Sequence, residues 1–137
     1  MSTSKKYEPS DSELEILQIL WDHQPATVKT VHEEISKKRA AENRDEVGYT
    51  TILKQMQRMF KSDKKEVMLS RTIDGKQHYY TAIPKQEDIQ TTLTDKLVEK
   101  AFSGSAMQMV MHALGQSKTT PEELEALQKW LDQQTEE

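Results

Sequence analysis

The sequence predicts a mainly α-helical protein with a small β-hairpin, organised in two parts. Three observations predict it. Apolar residues recur at spacings of three and four from Leu14 to Phe60, the pattern becomes extended on either side of Asp74-Gly75, and helical spacing returns from Ile89 to Leu131. The 137 residues amount to one ordinary domain or two small ones, and 34% hydrophobic residues fill only thin cores. A dimer sharing one of those cores is expected.

The first helix begins at Ser10, because Glu13 stands three residues on, where hydroxyl and carboxylate reciprocally satisfy free N–H groups. Leu14, Leu17, Leu20 and Trp21 give it one apolar stripe, and Pro25 ends it. A second helix runs from about Thr27, burying Val28, Val31 and Ile35, with Lys37, Lys38 and Arg39 in its last turn, where positive charge suits the carbonyl end. The polar stretch from Ala40 to Gly48 reads as a loop.

A third helix follows, and at 100° per residue its faces separate cleanly. Ile52, Leu53, Met56, Met59 and Phe60 share a buried face, while Thr50, Thr51, Lys54, Gln57, Arg58 and Lys61 cluster opposite with no carboxylate among them. Such a face suits an anionic partner. Val67 to Arg71 and His78 to Ile83 then read as two short strands, joined by Asp74-Gly75 in a tight turn. Three helices followed by a basic hairpin is the element order of a winged helix-turn-helix, whose third helix enters a DNA groove while the wing touches the flanking backbone.

The remainder reads as helix. Ile89, Leu93 and Leu97 repeat every four residues, and Met107, Val110, Met111 and Leu114 form a second stripe. Thr120-Pro121-Glu122-Glu123 opens a capped third helix carrying Leu124, Leu127 and Leu131. Three short amphipathic helices make a poor core alone, so a symmetric dimer is expected to bury Leu93, Leu97, Phe102, Met107, Val110, Met111, Leu114, Leu127, Trp130 and Leu131. The expected boundaries are 8–84 for the winged domain and 85–137 for the dimerisation domain.

The net charge of −4 hides its distribution. Residues 1–80 carry 14 Lys/Arg against 13 Asp/Glu, residues 81–137 carry 5 against 10, and residues 49–80 alone carry 7 against 3. A local basic surface survives the acidic total. The absence of cysteine excludes a disulfide scaffold and any thiolate nucleophile or metal ligand. No stretch of about 18 apolar residues occurs and the opening Met1-Ser-Thr-Ser-Lys-Lys leads into polar residues, so neither a membrane span nor an export signal is expected, and the expected compartment is the cytoplasm.

Five segments in order resemble the penicillinase repressor family, the BlaI/MecI-type winged-helix repressors. Ser12-Glu-Leu-Glu-Ile-Leu-Gln-Ile-Leu-Trp21 is similar to the family's opening segment and Thr27-Val-Lys-Thr-Val31 to its second helix. Tyr49-Thr-Thr-Ile-Leu-Lys-Gln-Met-Gln-Arg-Met59 resembles the recognition helix, with its Tyr-Thr-Thr-Val-Leu pattern. Gly75 and Tyr79-Tyr80 fall at the family's wing, and Phe102-Ser-Gly-Ser-Ala106 with the final capped helix resembles its dimerisation domain. The resemblance implies a homodimer that blocks transcription from a double-stranded operator of dyad symmetry. It further implies release by proteolysis of the C-terminal domain, triggered through a membrane-bound antibiotic sensor, and so a link to antibiotic resistance.

Departures from the family pattern accompany the match. Where the family has an Asn-Phe pair at the cleaved bond, this chain has Met111-His112; where it usually has a Gly after the recognition helix, this chain has Asp63, Lys64, Lys65 and Glu66. The loop from Ala40 to Gly48 is longer than the usual connection. The cysteine cluster of the family's copper-responsive branch is absent, so copper sensing is not expected.

Other residues admit plainer roles beside functional ones. Lys76 and Gln77 sit at the expected wing tip, where DNA contact and simple solubility both favour such residues. Lys5 and Lys6 are candidates for an arm along DNA, against the commoner reading of terminal lysines as plain disordered chain. Tyr79 and Tyr80 point to opposite faces of their strand, one packing inward. Trp21 belongs in the core or between domains, and the Met107, Met109 and Met111 run reads as packing. His23, His32, His78 and His112 show no ligand spacing, no catalytic motif appears, and neither cofactor nor enzyme activity is expected. The alternative to a DNA-binding repressor is a winged-helix protein-interaction adaptor.

Overall fold

The computed structural model describes residues 7–116 and 119–135. Six helices and one hairpin follow in the order α1 (Asp11–His23), α2 (Val28–Ala41), α3 (Tyr49–Phe60), β1 (Leu69–Asp74), β2 (Gln77–Ala82), α4 (Gln86–Ala101), α5 (Ala106–Gln116) and α6 (Pro121–Thr135). This is the winged helix with a helical C-terminal part that the sequence predicts.

The capping box at the head of α1 is present: the Glu13 N–H donates to the Ser10 hydroxyl at 3.2 Å, and the Ser10 N–H donates to Glu13 Oε1 at 2.8 Å. The buried face of α1 is wider than the expected stripe, taking in Ile16 and Ile19 beside Leu17 and Leu20. Thr27 caps α2, which runs two residues beyond Arg39 before Asn43, at φ 56°, turns the chain into the loop. Pro25 stops α1 as expected. The next residue, Ala26, pairs with Tyr80 through N–H···O bonds of 3.0 and 2.8 Å, laying the α1–α2 connection along β2.

The strands pair antiparallel from Leu69↔Ala82 to Asp74↔Gln77. Both differ from expectation: Val67 and Ile83 lie outside the ladder, while Ile73 and Asp74 lie inside it. The reason is the turn, which consists of Gly75 and Lys76, with Gly75 at φ 65° supplying the left-handed residue. Asp74 is therefore a ladder residue, and the tip sits one residue later than Asp74-Gly75.

Leu17, Leu20, Val31, Ile35, Met56, Met59, Met68, Leu69 and Tyr80 form one core from all three helices and both strands. Burying such side chains is worth about 1.5–3 kcal/mol each relative to exposure, which offsets the ordering cost of so small a domain. Trp21 lies against this core and donates from Nε1 to the Pro84 carbonyl at 3.0 Å, fastening the segment that leaves the wing.

The chain divides into two compact units between Thr91 and Thr92, within α4, whose Ile89 is buried. In the second unit α4 ends as Ser103 and Gly104 adopt φ 50° and 86°, and the Gly104 N–H donates to the Val98 carbonyl at 2.9 Å. Thr120 and Glu123 form the expected capping box on α6. Neither α5 nor α6 has a buried residue within its own chain. The methionine run is not covered within one copy: Met107 and Met111 are 70% and 62% exposed, and Met109 alone of the three is half-buried. Too few apolar residues converge within one copy to cover that stripe.

Candidate nucleic-acid interface

Helix α3 is positioned from both ends. At its start, His32 on α2 donates from Nε2 to the Val47 carbonyl at 2.8 Å, and its ring meets Tyr49 edge-on at 5.8 Å. The long loop before α3 is pinned rather than loose. Arg39 reaches the Glu15 carboxylate with two bonds of 2.8 Å and donates to the Asp45 carbonyl at 2.9 Å, while Arg44 lies 3.6 Å from Glu15. The Arg39 hydrogen bonds hold the Glu15 carboxyl below the usual range despite its burial. Nothing in the helical periodicity marked Glu15 and Arg39 as partners, since they belong to different helices.

Ile52, Met56 and Met59 of α3 are buried, Leu53 and Phe60 half-buried, and Thr50, Thr51, Lys54, Gln57 and Arg58 exposed. The cap residue, Gly48, has no side chain to engage the first N–H groups, so these remain available beside the Thr50 and Thr51 hydroxyls. Arg58 donates to Gln55 Oε1 at 3.3 Å, and α3 itself carries no carboxylate.

Lys61 departs from its expected place on this face. It is the residue that closes α3, with extended backbone at φ −143°, so its side chain leaves the helical periodicity. The exit then turns on Ser62, whose hydroxyl accepts from the N–H groups of Lys64 and Lys65 at 3.2 Å each. No described residue of this segment has positive φ, which is how the chain dispenses with the family's glycine. Lys65 folds back to Glu13 at 2.6 Å. Burial pushes the Glu13 carboxyl up, but the Lys65 ammonium and the Ser10 N–H and hydroxyl together outweigh it and hold the carboxyl below its ordinary value. Lys65 is therefore neutralised, and Arg71 lies 4.3 Å above the Phe60 ring at the wing's root. The basic surface is narrower than the count over residues 49–80 implied.

The wing tip presents Lys76, with Gln77 the first residue of β2. Of the two adjacent tyrosines, Tyr80 packs inward at 1% exposure and Tyr79 is half-buried. Between the start of α2, α3 and the wing lies a cleft of about 200 Å³, lined in part by Lys29, Gln57, Lys76, Gln77, His78 and Tyr80. No carboxylate lines it. Sequence reasoning missed Lys29 and His78; the one signal available was a first turn of α2 without an acidic residue. The candidate arm at Lys5 and Lys6 lies outside the described residues.

In the second unit, Leu93, Leu97, Met107, Val110, Met111, Trp130 and Leu131 are exposed, and Phe102, Leu114 and Leu127 half-buried. Phe102 stacks obliquely on His112, with ring centres 5.8 Å apart. Among the described residues no group of His, Asp or Glu is placed to hold a metal, and no helix is long and apolar enough to cross a membrane.

Helix order, wing and carboxylate-free α3 face define a winged helix-turn-helix protein with a C-terminal helical part. The family model described as penicillinase repressor matches residues 9–133, and the chain belongs to that family. It is also similar to the methicillin resistance regulatory protein MecI of Mammaliicoccus sciuri, 23% identical over 129 residues covering 94% of this chain and 97% of that relative.

Proposed function

We propose that the chain is a transcriptional repressor that binds a pseudo-palindromic operator as a homodimer, through a winged domain at 8–84 and a dimerisation domain at 85–137. The observation that carries the DNA-binding reading is the exposed set Thr50, Thr51, Lys54, Gln57 and Arg58 on α3, free of carboxylates. Lys54 and Arg58 neutralise phosphates or reach guanine edges. Thr50 and Thr51 offer hydroxyls and N–H groups to phosphate. Lys76, at the wing tip, reaches the flanking backbone, and Lys61 and Gln77 border the same surface.

The dimer reading rests on the uncovered apolar side chains of α4 to α6, with Met107 70%, Met111 62% and Trp130 55% exposed. Two copies would place their α3 helices in successive major-groove turns about 34 Å apart. Each half-site then binds as an intramolecular event once the other is occupied, so dimerisation supplies much of the affinity. Family membership supports control of antibiotic-resistance genes and inactivation by a cut in the C-terminal domain through a membrane-bound sensor. The bond nearest the family's cleaved position, Met111-His112, lies inside α5, so a protease must first unwind that helix.

The test is titration of the purified chain against a duplex from upstream of its own gene and against a scrambled duplex, at two salt concentrations. Expected are preference for the upstream duplex, two chains per site, and a loss on the order of a thousandfold between 50 and 200 mM salt for roughly six phosphate contacts. Equal and salt-insensitive failure on both duplexes would favour the adaptor reading.

A further inference from the structure

We infer that the cleft between the start of α2, α3 and the wing seats one backbone phosphate of the bound DNA, with Lys29 and Lys76 as its counter-charges and Tyr80 and His78 as hydrogen-bond donors. The inference rests on the DNA-binding reading and extends it to residues outside the α3 face.

Four observations converge on the cleft. Two lysines line it from separate elements, Lys29 on α2 and Lys76 on the wing, and no carboxylate does. Thr27 caps α2 by accepting from the Thr30 N–H at 3.2 Å. The N–H groups of Val28 and Lys29, two residues that line the cleft, are left without partners inside the helix. Tyr80 is 1% exposed and borders the cleft, yet its hydroxyl makes no hydrogen bond among the described residues and is not sealed from solvent. A buried phenol ordinarily finds a partner, so an open one at the edge of a cationic cleft points to an acceptor from outside.

The cleft's walls are held together independently of any ligand. The Ala26–Tyr80 pairing fastens the connection before α2 to β2. Gln57 belongs both to the exposed face of α3 and to the cleft, so an occupant there lies beside whatever α3 reads. A phosphate seated on α2 and the wing together fixes the register of α3 without reading sequence.

The test uses the full chain, the upstream duplex and the scrambled duplex. Lys29→Gln is expected to weaken binding to both by the same factor, about tenfold at 0.1 M salt, and to reduce the salt slope by about one. Tyr80→Phe keeps the ring in the core, and is expected to leave the unfolding midpoint in place while weakening both duplexes about tenfold without changing the salt slope. A loss confined to the upstream duplex would make Lys29 a base reader and overturn the seat. Unchanged affinity in both variants, with wild-type binding intact, would overturn the seat and leave the repressor reading standing. Wild-type failure on both duplexes would remove that reading and the seat with it. Inorganic phosphate titrated into the free chain separates the sources of the anion: shifts of the Val28 and Lys29 amides, combined with undiminished DNA affinity of Lys29→Gln, would mark a free-anion site and overturn the DNA assignment.

Discussion

The Arg39 guanidinium on α2 and the Glu15 carboxylate on α1 are joined by two hydrogen bonds of 2.8 Å, Nε to Oε2 and Nη2 to Oε1. The same guanidinium donates to Asp45 in the loop before α3. One side chain thereby ties the first helix, the second helix and the approach to the third, so the angle at which α3 is presented depends on it.

Replacing Arg39 by Lys keeps the charge and loses the fork, since an ammonium cannot make both bonds in that geometry. The expected cost is about 1–3 kcal/mol, read as a lower urea midpoint with an unchanged slope. An unaltered midpoint would show that the fork contributes nothing beyond the charge.

Stability should fall in acid through the two glutamates of α1. Both carboxyls are held below their ordinary value in the folded chain: Glu15 by the Arg39 hydrogen bonds over opposing burial, and Glu13, where burial is the largest single influence and pushes upward, by Lys65 and Ser10, which together outweigh it. The unfolded chain then binds more protons than the folded chain as pH drops through the unfolded glutamate value of about 4.3. The stabilisation is fully present above that value and lost as pH falls through the lowered folded values. Urea midpoints from pH 7 to pH 3 measure it, and Glu13→Gln with Glu15→Gln should flatten the decline.

Reversing charge on α3 with Lys54→Glu and Arg58→Glu should abolish binding to the upstream duplex while sedimentation still reports the wild-type oligomer. Both side chains are exposed and neither supports the core, so folding is expected to survive. DNA binding that persists in this variant would move the reading surface elsewhere.

Met111→Glu should shift the chain toward monomer without disturbing the winged domain, because Met111 is 62% exposed within its own chain. Operator affinity should fall with the loss of the second half-site, while binding to a single half-site stays the same. Sedimentation at micromolar concentration distinguishes this from a surface change without consequence.

Much of this protein was legible in local order. The Ser10–Glu13 box, the stop at Pro25, the apolar face of α3 and the Thr120–Glu123 box all depend on residues within a turn or two of one another, and each formed as the spacing requires. Strand limits were less legible, because one residue's shift in the turn from Asp74-Gly75 to Gly75-Lys76 moves the whole ladder.

Periodicity alone determined the element order, the winged fold and the cationic face of α3, because helical and extended repeats are written in the spacing of apolar residues. Only the tertiary structure decided that Lys65 is neutralised by Glu13, that Arg39 secures the approach to α3, and that Lys29, Lys76, His78 and Tyr80 meet at one cleft. Lys65 stands far from Glu13 along the chain, and Lys29 far from the wing residues, so their meeting exists only once burial of a shared core brings α1, α2, α3 and the wing together.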